Sequence, residues 1–221
     1  MTFKNQIIRT ILNTGTLLAV FASLFFNSIS AMAMSNADIV ALPAFNDFAR
    51  AVQNGHKGIL RGVYVSDVLA LPIIQQPVGY PGFVSKKDGE ATQFEMASEV
   101  GNIGLLAHNH LAGKSFSHLA IGQEVRLIYG DGTVETFVVT KILRYQALQP
   151  NSPGSEFRNL DDKITITAGQ LFKQVYRGDR HVTFQTCIAN EGNLSWGRLF
   201  VIAEPKTDVS ASDINAVIGS N

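Results

Sequence analysis

The stretch "EVRLIYGDGTVETFVVTKILRY" (124–145) constrains the fold more than any other part of the chain. Two alternating apolar–polar runs flank Gly130-Asp131-Gly132, and a period of two around a Gly-Asp-Gly turn is what an antiparallel hairpin needs. Such a hairpin buries one face and must find other strands to cover it. They are available. "ILRGVYVSDVLALPII" (59–74) is apolar and β-branched, broken at Gly62 and Pro72, and predicts one or two strands. "NIGLLAHNH" (102–110) predicts another, and residues 181–187 and 198–204 supply the last two.

Helical periodicity is confined to two short places. "PAFNDFARAVQNG" (43–55) sets Ala44, Phe45, Phe48, Ala51 and Val52 on one face between Pro43 and Gly55. In "AGQLFKQVYRG", Thr167 can cap a helix that turns Leu171, Phe172 and Val175 inward and stops at Gly178. Residues 75–101 and 147–162 are rich in turn formers and predict loops, the first holding at most one strand. The expectation is a mainly β domain, a closed barrel or a sandwich, with two short helices.

The N-terminus carries a different signal. Lys4 and Arg9 precede an uncharged run from Gly15 to Phe26, and Ala31-x-Ala33 offers small residues at cleavage spacing. Residues 1–33 therefore predict a signal peptide, or an N-terminal membrane anchor if they are not removed. The remainder divides into a helix and lead-in (34–58), a domain over 59–205 and a polar tail (206–221). The expected location is extracytoplasmic, either secreted or at the cell surface, with membrane association through the N-terminus if that segment is not cleaved.

Removal of Lys4 and Arg9 would change 18 basic against 18 acidic residues into 16 against 18. That balance gives no basic footprint for nucleic acid. The single cysteine, Cys187, excludes an intrachain disulfide and a cysteine-based zinc ribbon. In an oxidising compartment it is a buried inert thiol, an intermolecular bridge or a nucleophile.

Strand parity puts Thr183, Gln185 and Cys187 on one face, with Cys187 at the strand's C-terminal end. Arg198 opens the next strand after a ten-residue loop and lies near the cysteine if the two strands are neighbours. His108 ends an apolar run at the edge of a loop, where an imidazole that activates a thiol is expected. His181 lies on the same strand as Cys187, about 20 Å away by strand rise, too far to serve it. His108-x-His110 also raises a metal site, completed by His118 or His56.

Three of these segments resemble one family in order. "TFQTC" (183–187) resembles the T-L-x-T-C signature of sortases, with Phe184 at the usual leucine. "GRLFVIA" (197–203) resembles the arginine-led strand that follows it. "NIGLLAHNH" resembles the segment in which a small residue, here Ala107, precedes a catalytic histidine. The resemblance spans roughly residues 59 to 204. It implies a sortase-like eight-stranded barrel and a cysteine transpeptidase that needs no cofactor and no metal. Cys187 would be the nucleophile, His108 the general acid and base, and Arg198 the stabiliser of substrate carbonyl and oxyanion. Thr186, Trp196 and His110 are expected beside the substrate. The implied partners are secreted proteins with a C-terminal sorting motif and an amine acceptor of cell wall or pilus. A non-catalytic secreted β module is the competing reading, and a hydrolysing cysteine peptidase would use the same residues.

Overall fold

The computed structural model describes residues 41–207. The signal or anchor expected over 1–33, part of the lead-in and most of the polar tail lie outside the described residues. No helix among those described is long and apolar enough to cross a membrane.

The chain enters through α1 (Phe45–Val52), and the strands then follow as β1 (Leu60–Val65), β2 (Leu69–Gln75) and β3 (Ala91–Phe94). The one-turn helix α2 (Glu95–Ser98) leads into β4 (Ile103–Leu106), and a 3-10 helix covers Ala112–His118. Next come β5 (Glu124–Tyr129), β6 (Val134–Ala147), β7 (Phe157–Asn159) and β8 (Thr165–Ile166). Helix α3 (Ala168–Tyr176) precedes the final hairpin, β9 (Val182–Asn190) and β10 (Asn193–Pro205).

Strand order makes the barrel. The sequence of neighbours is β10-β9-β4-β3-β2-β1-β5-β6, and β6 pairs with β10 to close the ring at eight strands. β7 and β8 extend the sheet beyond β6. Closure removes the free strand edges that an open sheet would present. Inside, Val63, Leu105, Leu127, Phe184 and Val201 are fully buried. Each such side chain removed from water stabilises the fold by about 1.5–3 kcal/mol. Phe116 of the 3-10 helix plugs the interior, edge-on to Phe184 with 5.1 Å between ring centres.

A second apolar layer lies elsewhere, with Tyr145 and Phe200 of the sheet under Leu171, Val175 and Tyr176 of α3. Thr167 caps that helix as expected, in a reciprocal box with Gln170. Helix α1 packs Phe48 and Ala49 against Tyr64 and Ile128, so Ala49 and not Ala51 completes its buried face.

Several expectations are corrected. The described residues hold four helices rather than two, because α2 and the 3-10 helix are too short to leave a periodic signal. Gly62 and Pro72 do not break strands; they are paired with each other inside β1 and β2. Gly62 is small because a Cβ there would lie 3.0 Å from the Phe48 ring of α1. Pro72 is tolerated because β3 pairs with β2 only from Ile73 onward, so no ladder bond needs its missing N–H. The ten-residue loop between Cys187 and Arg198 does not exist. β9 runs on to Asn190 and β10 starts at Asn193, joined by Glu191 and Gly192, both with positive φ (50° and 78°). That is the two-residue turn geometry whose twist suits a hairpin.

Candidate active site

The site grows from two strand pairings. β4 runs parallel to β9, with Leu105 beside Phe184 and Leu106 beside Gln185. The amide of Ala107 then donates to the Gln185 carbonyl at 3.3 Å, so pairing persists one residue past β4. The Thr186 hydroxyl donates to the Ala107 carbonyl at 2.8 Å. His108 therefore leaves β4 beside the strand segment that carries Cys187.

On the other side β9 is antiparallel to β10, and Cys187 stands directly opposite Arg198. Directly opposed residues share a sheet face with their Cβ atoms about 4.5–5.5 Å apart. Gln185, on the same parity, accepts a hydrogen bond from the Tyr176 hydroxyl at 2.5 Å, which places this face toward α3. Cys187 is a free, half-buried thiol. It sits within β9 rather than at its end, a consequence of the longer hairpin.

The Arg198 guanidinium is half-buried and folds onto its own strand. Nη1 donates to the carbonyls of Ser195 and Gly197, both at 2.9 Å. Two bonds from one nitrogen fix the fork and leave its other donors free for an oxygen of a bound peptide.

His108 is half-buried and clamped through its backbone. Its carbonyl accepts from the amides of Leu111 and Gly113, both at 3.0 Å. Burial of the ring holds its pKa below the usual imidazole range, and the nearby charge of His110 pushes it the same way. The Val84 backbone opposes that shift by favouring the charged form, and Lys86 lowers it further. The two rings lie 5.5 Å apart at 31°. A lowered pKa favours the neutral imidazole, the form able to take a proton.

The other expected residues are placed as follows. Thr186 is buried and its hydroxyl is committed to Ala107, so it braces the site from behind. Trp196 is half-buried within β10, not in a loop. His110 is exposed. His181, set aside as a partner for the thiol, is buried with its ring nitrogens 2.7 Å from the Asp179 carbonyl and 2.9 Å from that of Val175. No group of three or more His, Cys, Asp or Glu side chains assembles to hold a metal among the described residues, so neither His118 nor His56 completes a site with the His108–His110 pair.

A cavity of about 370 Å³ adjoins the centre, lined in part by Asn109, Arg144, Leu160, Cys187, Ile188 and Leu199. Its wall is largely aliphatic with an exposed arginine at the edge, while His108 and Arg198 lie outside the lining. Asn109 bridges from the histidine loop to the Leu194 carbonyl of β10 at 2.9 Å.

Two positions escaped the sequence reading. A Cβ on Gly113 would lie 2.7 Å from the carbonyl oxygens of both Ala107 and His108, and closer still to the Thr186 hydroxyl. The loop after β2 is ordered by the buried Gln76. Neither carries a motif, since each acts through residues distant in the chain.

No family model and no curated protein matches the chain. Solved structures of similar shape include sortase A of Listeria monocytogenes, at 13% identity and a TM-score of 0.43, covering 75% of this chain and 100% of that one. Sortase C of Clostridium perfringens SM101 is 15% identical with a TM-score of 0.41, covering 73% and 82%. Sortase C1 of Streptococcus agalactiae, in its complex with MTSET, is 18% identical with a TM-score of 0.43, covering 73% and 75%.

Proposed function

We propose that the chain is an exported cysteine transpeptidase of the sortase type. The observation that supports it most is the direct cross-strand pairing of Cys187 with Arg198, on a strand whose other neighbour delivers His108. A thiol and a fixed guanidinium are cross-strand neighbours, and an imidazole follows the segment paired with the other side of the same strand. The motifs "TFQTC", "GRLFVIA" and "NIGLLAHNH" supply the same three residues in the same order.

The proposed chemistry balances as follows. The Cys187 sulfur attacks a peptide carbonyl, its proton passing to His108. Arg198 donates to the oxyanion as the tetrahedral intermediate forms. The C–N bond breaks, the leaving amine takes the proton from His108, and a thioester remains on Cys187. An acceptor amine then attacks the thioester, gives a proton to His108 and releases the thiol as the new amide forms. Thiolates are intrinsically good nucleophiles, which suits both half-reactions.

The substrate is a short sorting motif near the C-terminus of a secreted protein, and the acceptor is an amine of cell-wall peptide or pilin. The site of action is outside the cytoplasm, a reading that rests on the basic, apolar and Ala-x-Ala pattern of residues 1–33.

A peptide library with and without added amines tests this. The expected result is a covalent adduct on Cys187 by mass spectrometry, cleared faster by amine than by water and absent from Cys187→Ala. His108→Ala should abolish the adduct, while His110→Ala should change turnover by less than about tenfold, or ~1.4 kcal/mol. A dispensable His108 beside an essential His110 would sink the assignment. Zinc in the wild type, lost from both histidine variants, would favour a metal site instead.

A further inference from the structure

Across β4, β9 and β10, the sheet face that carries Cys187 is laid out in rows. Gly104, Thr183 and Ile202 form one, Leu106, Gln185 and Phe200 the next, and Cys187 with Arg198 the third. Successive rows are two residues apart on each strand, or about 7 Å. Helix α3 covers the first row. The Thr183 hydroxyl donates to the Val175 carbonyl, and a Cβ on Gly104 would lie 3.0 Å from the Tyr176 ring. The third row belongs to the proposed centre, so the middle row stands between a covered surface and a reactive one.

Two of its three side chains are apolar and buried, Leu106 at 7% exposure and Phe200 at 2%. Gln185 between them is polar and half-buried. Its Oε1 accepts from the Tyr176 hydroxyl at 2.5 Å. Tyr176 is itself buried, its ring edge-on to Phe94 at 5.3 Å and to Phe200 at 6.5 Å, with Phe172 also at 5.3 Å. A ring packed on three sides does not swing, so the hydroxyl fixes which way the amide faces. With Oε1 turned to the helix, Nε2 lies on the opposite side of the amide. Among the described residues Nε2 has no partner, and it is not one of the buried polar atoms left unsatisfied, so water reaches it. Two N–H donors are therefore aimed and unused, one row from the thiol.

We propose that Gln185 is a specificity-determining residue, its amide donating to a side-chain oxygen of the substrate peptide two residues from the scissile bond, and that Tyr176 is the positioning residue that aims it. A peptide laid extended along β9 with its scissile carbonyl at Cys187 advances about 7 Å in two residues, the interval from Cys187 to Gln185. The residue that fits there carries an acceptor oxygen, as Asn does. Leu in its place would cover the donors with carbon and shut them off from water, and donors left unpaired penalise the mismatch. The inference rests on the transpeptidase reading and adds a substrate preference to it.

The test uses pairs of peptides that differ only in Asn against Leu, placed two residues to either side of the cleaved bond. The readout is the ratio of kcat/KM within a pair, from which any loss common to both peptides cancels, whether it arises in folding or in chemistry. The wild type should favour Asn by about tenfold at one of the two positions, the worth of one net hydrogen bond. Gln185→Leu should bring that ratio to one or below. Tyr176→Phe keeps the packed ring but frees the amide to rotate, and should lower the ratio at least about threefold, the share of that preference lost with a fixed donor. If Gln185→Leu fails to fold because it strands the Tyr176 hydroxyl, the double variant Gln185→Leu/Tyr176→Phe strands nothing and decides in its place. A wild type with no preference for Asn at either position overturns the proposal, as does a preference that survives the loss of Gln185. A ratio unchanged in Tyr176→Phe removes the positioning role. A wild type that forms no thioester with any peptide overturns the transpeptidase reading and this inference with it, whereas turnover with a flat preference overturns the inference alone.

Discussion

The Thr186 hydroxyl donates to the Ala107 carbonyl at 2.8 Å, so the residue before Cys187 is bonded to the residue before His108. This single bond sets the spacing of β9 and the histidine loop where Cys187 and His108 diverge. It is buried, and removing its donor leaves the Ala107 carbonyl short of a partner. Thr186→Val should cost about 1–3 kcal/mol, while Thr186→Ser, which keeps the hydroxyl, should cost less. Urea unfolding of both variants measures it. The valine variant should also lose turnover in excess of any unfolded fraction.

Gly113 makes a sharper probe. Its missing side chain is what lets the 3-10 helix approach Ala107, His108 and Thr186 together. Gly113→Ala forces backbone against backbone, and overpacking of this kind costs about 1–3 kcal/mol. The expected outcome is a lowered melting temperature with turnover reduced more than stability alone explains. Unchanged kinetics would mean that the histidine loop tolerates displacement.

Arg198→Lys should keep the fold and lose most turnover. The guanidinium uses Nη1 to fix itself on Ser195 and Gly197 while its other nitrogens remain available. An ammonium cannot hold the same carbonyls and present a second planar donor pair. Loss of an oxyanion donor costs about 10²–10³ in kcat, which steady-state rates at saturating peptide will show. Near-wild-type rates would remove the arginine from the chemistry.

The pH profile follows from burial and from the neighbouring ring. His108 titrates below its usual range, first because it is desolvated and then because of His110. The acid limb of kcat/KM reports the lower of the two catalytic pKa values and should fall below about pH 6.5. His110→Gln removes one of the two depressing charges, so the limb should move toward higher pH. For stability the sign is the same. A histidine whose folded pKa is depressed binds its proton more readily in the unfolded chain, so its contribution is intact above about pH 6.5 and is lost as pH falls below it. Melting temperatures from pH 8 to pH 5 should therefore drop less in His108→Ala than in the wild type.

Much of this was legible in residues 124–145 and 181–204, where alternation is strong and both strands are long. The approach of Cys187 and Arg198 was expected on the condition that their strands are neighbours, and the pairing of β9 with β10 meets it. The hairpin joining them did not, because Glu191 adopts positive φ where Asn or Asp would have advertised the turn. Gly62 and Pro72 misled for a different reason. Each is usually a breaker, but one accommodates a helix and the other falls where its strand has a free side. The stretch from 75 to 101 was opaque because its order comes from the side chain of Gln76, and no periodicity announces a buried amide.

The parallel pairing of β4 with β9 has a consequence for the order in which the molecule comes into being. The bond from Thr186 to Ala107 spans 79 residues of chain, and between them lie four strands, the 3-10 helix and α3. Contacts of such separation form late and slowly, after the local hairpins have paid their entropy. A nascent chain would carry its thiol in the last strands to emerge, with the imidazole far away. The proposed centre would thus stay incomplete until the ring of strands shuts.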